Sequence, residues 1–179
     1  MGLFSKKKIT IQELIDSIIR IGYVSSDEDL DVYKKSLKAC GLSKDITKRR
    51  KGEIFIFELL ASTHAIQSAF TKSPLMGNFV LDALHAYIYS VYSEDEKDQT
   101  DFEELLNERY KRYRVILASD GDMVPFFLGA EFAANFFGEE APKEALPFIL
   151  TSAEVFFSRM TGLKEFLDEI LLKYEIIPS

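Results

Sequence analysis

Between Ile54 and Tyr92 the chain runs for 39 residues with only three formal charges, Glu58, Lys72 and Asp82, in a protein of which 28% is charged. A helix with one face in water normally fills that face with Lys, Glu or Arg. So charge-poor a stretch predicts helices enclosed on nearly all sides, and the rest of the chain must supply the enclosing layer. Ser73-Pro74 divides the stretch in two. Proline disfavours helical geometry in the residue before it, while serine as cap and proline at the first helical position can start a new helix. The expectation is an apolar central helical hairpin. Its first arm begins between Asp45 and Gly52 and ends by Lys72; its second runs to about Tyr92. A later segment, Met123 to Phe137, carries Glu131 as its one charge and is expected to be enclosed as well.

The remaining segments have one charged side and suit an outer layer. Thr10-x-x-Glu13 has the form of a capping box, followed by Ile11, Leu14, Ile15, Ile18 and Ile19 in one stripe. A second helix is expected from near Ser26, with Leu30, Tyr33, Leu37 and Cys40 on one face and Gly41 ending it. Ser93 to Gln99 reads as an acidic loop, and Thr100-x-x-Glu103 as the cap of a fifth helix with Phe102, Leu105, Leu106, Tyr113, Ile116 and Leu117 inward. Ser119 to Asp122 reads as a turn. Pro147 leaves the next helix start undefined, and Gly162 predicts a break before a last helix bearing Leu163, Phe166, Leu167, Ile170, Leu171 and Tyr174. Alternating strands with hairpin turns are absent. The fold class is therefore all-α: a single-domain bundle of about seven or eight helices over residues 10–177, after a flexible basic N-terminus at residues 1–9.

Charge and composition exclude several functions. A net charge of −7 argues against nucleic-acid binding, which needs a basic face to displace counterions. The one basic run, Lys48-Arg-Arg-Lys51 with Lys44 upstream, reads as a solvated helix face. Cys40 is the only cysteine, which rules out an internal disulfide and suits a reducing, cytoplasmic setting. Met1 to Lys8 lacks the apolar run of a secretory signal. No segment reaches the roughly 18 apolar residues that read as a membrane span.

Candidate chemistry centres on the two histidines, His64 and His85, both within the charge-poor stretch. In an antiparallel hairpin bent at Ser73, His64 and Asp82 are equidistant from the bend, and His85 lies one turn from Asp82. His64, Asp82 and His85 could then converge, with Glu131 as a fourth group, in a set suited to a divalent metal. The bland alternative is a buried hydrogen-bonded pair, or a polar groove along Asn78, Asp82, His85 and Tyr89. If the second arm is central, Asp82 must be paired or protonated, since an isolated buried carboxylate is too costly. No serine or cysteine nucleophile constellation is present.

The apolar surface exceeds what a small bundle easily hides, and exposed patches of that kind mark interfaces. Tyr89, Tyr92, Phe126, Phe127 and Phe136, with Tyr87, Phe132 and Phe137, are residue types that anchor such contacts. The functional expectation is a cytosolic helical interaction domain, homodimeric or bound to another protein, without catalysis and without a cofactor. The alternative is a helical bundle that binds a metal or small molecule near His64, Asp82 and His85, as an enzyme or otherwise.

Overall fold

The computed structural model describes residues 6–21, 27–92, 96–138 and 141–178, with backbone alone at 27–29, 92 and 96. In chain order the elements are β1 (Lys7–Thr10), α1 (Ile11–Arg20), α2 (Asp27–Ala39), α3 (Lys48–Ala69), α4 (Pro74–Tyr92), α5 (Glu96–Leu117), α6 (Val124–Phe137), α7 (Leu146–Lys173) and β2 (Tyr174–Ile177). A short 3-10 turn, Lys143–Ala145, precedes α7. The all-α class is as the sequence predicts.

α3 is the central helix. Thr47 caps it, its hydroxyl accepting from the Arg50 amide at 3.3 Å, and every residue from Glu53 to Thr63 is buried. Around it pack α7, α4, α6 and α5. Its two acids bring their own cations: Glu53 accepts two bonds from the Arg109 guanidinium, at 2.9 and 3.0 Å, and Glu58 faces Arg159 at 3.5 Å. Aromatic rings join the helices around this axis. Phe57 stacks on Phe132 at 4.3 Å and meets Tyr113 and Phe156, while Phe148 meets Tyr33, Phe132, Phe136 and Phe137.

Two sequence features act as predicted. Thr10 and Glu13 form the capping box, with the Thr10 amide donating to Glu13 at 2.8 Å and the Glu13 amide donating back at 3.2 Å. Gly41 takes φ 71° just beyond α2. The basic run proves more structural than a solvated face. Arg49 donates to the Asn135 and Phe136 carbonyls at 2.8 and 2.7 Å, neutralising the open C-terminal turn of α6. Arg50 donates to the Asp45 carbonyl and lies over the Phe136 and Phe137 rings.

Other expectations need correction. The charge-poor α4 is not enclosed: Leu75 is 76% and Phe79 55% exposed, and Asn78, Asp82 and Ala86 also face solvent. It lies at the edge of the bundle, against α3 and α1, so the requirement for a buried partner at Asp82 falls away. α6 is enclosed only in part, since Met123 and Phe127 are exposed at its start. α5 starts at Glu96, ahead of Thr100, because Glu96 and Asp98 suit the positive end of a helix and Gln99 bonds Glu103 at 2.8 Å. α7 runs through Gly162 without a break. A helical glycine costs about 1 kcal/mol, which the burial of Phe156, Leu163 and Leu167 on either side offsets.

The basic N-terminus is also tied down where it is described. Lys7–Thr10 pairs in parallel with Tyr174–Ile177, Ile9 opposite Ile176, and the Lys6 ammonium donates to the Leu171 carbonyl in the last turn of α7. Four-residue strands are too short to carry a readable alternation, so the sequence does not announce them.

Where α6 crosses α7 the backbones nearly touch. A Cβ on Gly129 would stand 2.2 Å from the Ile149 carbonyl oxygen, so only glycine fits. Gly129→Ala should destabilise the fold by about 1–3 kcal/mol through forced overpacking. Urea unfolding of the two proteins checks this, and an unchanged midpoint would mean that the crossing is loose.

Candidate functional site: a polar groove between α4 and α5

α4 and α5 are consecutive in the chain, yet among the described residues they are not one of the closely packed helix pairs. The space between them is an open groove of about 340 Å³. Asp82, His85, Ala86 and Tyr89 line it from α4; Leu106, Asn107, Tyr110 and Arg114 line it from α5. On each helix the spacing of three and four residues sets these side chains on one face. Leu106 and Tyr110 are buried and make the floor.

The floor is wired to the core. Thr63 on α3 donates its only hydroxyl proton to the Leu59 carbonyl at 3.0 Å, so in its 3.0 Å contact with Tyr110 the tyrosine donates. His85 Nε2 lies 3.5 Å from the same Tyr110 oxygen, and the ring also bonds the Leu81 carbonyl. Burial pushes the His85 pKa down, against smaller upward pulls from the Leu81 carbonyl and Asp82, so the ring is held towards neutral. A neutral ring that donates to Leu81 leaves Nε2 as an acceptor. The one Tyr110 proton is already given to Thr63, so the 3.5 Å approach of Nε2 to the phenol oxygen is a contact between two acceptors. Burial raises the Tyr110 pKa, which keeps the phenol protonated. Arg114 lies over the Tyr110 ring at 5.6 Å.

The metal grouping expected from sequence is not assembled. Among the described residues no three His, Cys, Asp or Glu side chains are placed to hold a metal ion. Asp82 and His85 share the groove, but Glu131 bonds Asn135 and faces Arg112 on the α5–α6 side. His64 does not line the groove either. Its Nε2 is buried without a hydrogen-bond partner among the described residues, and burial together with the Arg114 charge lowers its pKa.

The other candidates are scattered. Tyr89 stacks on His85 and meets Phe102 edge-on; Asn78 is exposed, a turn outside the groove. Phe127 is exposed, Phe126 is half-buried against the core, and Phe136 is wholly buried. The Tyr92 side chain lies outside the described residues. Sequence reasoning missed Tyr110, Asn107 and Arg114, which complete the groove. The four-residue step from Leu106 to Tyr110 to Arg114 was the available signal.

No protein-family model matches the chain, and no curated protein or solved structure is significantly similar to it. Nor is any described helix long and apolar enough to cross a membrane.

The two histidines set a pH dependence. Both have pKa values lowered in the folded state, so below the unfolded value of about 6.5 the unfolded chain binds more protons. Their contribution to stability is full above that value and is lost as pH falls through the interval down to the folded pKa. Urea melts at about pH 7.5 and about pH 5.5 should show that loss, reduced in His85→Asn. An equal loss in the variant would remove His85 from the account.

Proposed function

We propose that this chain is a helical interaction and homodimerisation domain that works in the cytoplasm by association and not by catalysis. The observation that carries the reading is apolar surface gathered at one end of the bundle. Leu75 and Phe79 project from the first turns of α4, and Leu172, 74% exposed, projects from the end of α7. Beside them opens a cleft of about 740 Å³, lined by apolar Phe70, Met76, Leu171 and Ile176 and also by Lys6, Lys72, Lys164, Asp168 and Glu175. A face that carries both projecting side chains and a receiving cleft is suited to a second copy, because a two-fold axis sets the projections of each copy against the cleft of the other. Charge is sparse on the α4 side of this face, as interface cores require. The cytoplasmic setting rests on the single cysteine, Cys40, and the acidic composition.

Sedimentation across the micromolar range tests the proposal. The unmodified protein should be a dimer whose melting temperature rises with concentration, and Leu75→Glu or Leu172→Glu should be a folded monomer whose melting temperature does not, since neither side chain is part of the core. A monomer throughout the range rules out the homodimer. A dimer that survives both substitutions places the contact elsewhere.

A further inference from the structure

The α4–α5 groove has an order of its own, independent of any dimer. Tyr89 meets Phe102 at 6.0 Å and His85 meets Tyr110 at 6.1 Å. Residue numbers fall along α4 as they rise along α5, so the two helices run antiparallel past the groove. One turn before His85 stands Asp82; one turn after Tyr110 stands Arg114. Both charges therefore sit at the same end, one on each wall. Among the described residues neither forms a salt bridge with the other or with a third group. At the opposite end the lining is Ala86, Tyr89 and Leu106, and Glu103 lies close enough to Tyr89 for its charge to act on the phenol.

An opposed carboxylate and guanidinium at one end, with the Ala86 methyl and the Tyr89 ring leading away, is complementary to one simple chemistry. We propose that the groove binds a free α-amino acid with an apolar or aromatic side chain. The ligand ammonium donates to Asp82, and its carboxylate takes the Arg114 fork. The side chain lies along Ala86 and Leu106 against the Tyr89 ring. Glu103 at that end disfavours an acidic side chain. A volume of about 340 Å³ admits one small molecule and not a folded peptide segment. The ligand needs its ammonium and carboxylate together, because each meets one wall of the groove and blocking either end forfeits one charge-assisted bond. No bond is made or broken in this reading; the site recognises.

Isothermal titration of the full chain with each standard L-amino acid, and with N-acetyl-phenylalanine and phenylalanine amide, tests it. Apolar or aromatic amino acids should bind one per chain, and blocking either end should weaken binding about tenfold or more. Asp82→Asn and Arg114→Gln should each lose affinity to a similar degree while the ligand-free melting temperature stays unchanged, because both side chains are exposed. Asp31→Asn, on the exposed side of α2 and outside the groove, should bind as the unmodified protein does. Absence of binding by every apolar amino acid overturns the proposal, as do equal binding of the blocked forms, a preference for acidic amino acids, or unaltered affinity in both groove variants.

Discussion

Enclosing α3 on every side imposes the terms that the rest of the bundle meets. From Glu53 to Thr63 no side chain of that helix reaches water freely, and two of those side chains are carboxylates. An unpaired buried carboxylate costs several kcal/mol, more than most domains can spare. The partners are arginines from two different elements, Arg109 on α5 and Arg159 on α7. Such pairs add little net stability over apolar residues of the same size, but they penalise any packing that separates the partners. Glu53 therefore fixes where α5 crosses α3, and Glu58 fixes the register of α7. The aromatic contacts between Phe57, Phe132, Phe148 and Phe156 fill the space that this register leaves.

The same anchoring explains why a groove opens beside α4. α5 is drawn toward α3 by Arg109 and by Tyr110, whose hydroxyl bonds Thr63. α4 is held by α3 and α1 instead. Each helix is bound to the core more firmly than to its neighbour in sequence, and the polar residues between them stay partly in water. Thr63 and Tyr110 then tie the buried axis to the floor of that opening through one hydrogen bond, and the His85 ring rests against the same phenol. The orientation of the His85 ring is thus set from inside the fold, by its bond to the Leu81 carbonyl and by edge contact with the Tyr110 ring.

Much of this was legible in the sequence. The caps at Thr10 and Pro74, the end at Gly41 and the enclosed third helix each follow from local chemistry that tertiary contacts do not override. Asp82, His85 and Tyr89 were legible as one stripe because helical spacing alone puts them there. What the stripe faces was not legible, since Asn107, Tyr110 and Arg114 come from another helix whose direction no local pattern encodes. The arginines that neutralise Glu53 and Glu58 were hidden for the same reason. Arg49 reads as part of a basic run, yet its partners are backbone carbonyls at the end of α6, 86 and 87 residues away. The short parallel pair of Lys7–Thr10 and Tyr174–Ile177 joins the two ends of the domain and leaves too few residues for any period to show.

α3 and α4 are equally poor in charge, and the structure separates two causes of that one signal. In α3 the missing charges reflect burial: the sides are all covered, and the acids that remain are paired. In α4 the outward stripe of Leu75, Phe79 and Ala86 is bare and carries Asp82 as its only charge. Solvent alone does not select such a stripe, because Lys or Glu at those positions would add helix stability and solubility at no cost to packing. In the proposed reading, a helix that forgoes that gain in its first turns, where Leu75 and Phe79 project, and that sets its single acid opposite Arg114 further along, answers to association rather than to its own core. Low charge in a helix is thus compatible with two placements, and only the burial of the individual residues tells an enclosed helix such as α3 from an edge helix such as α4.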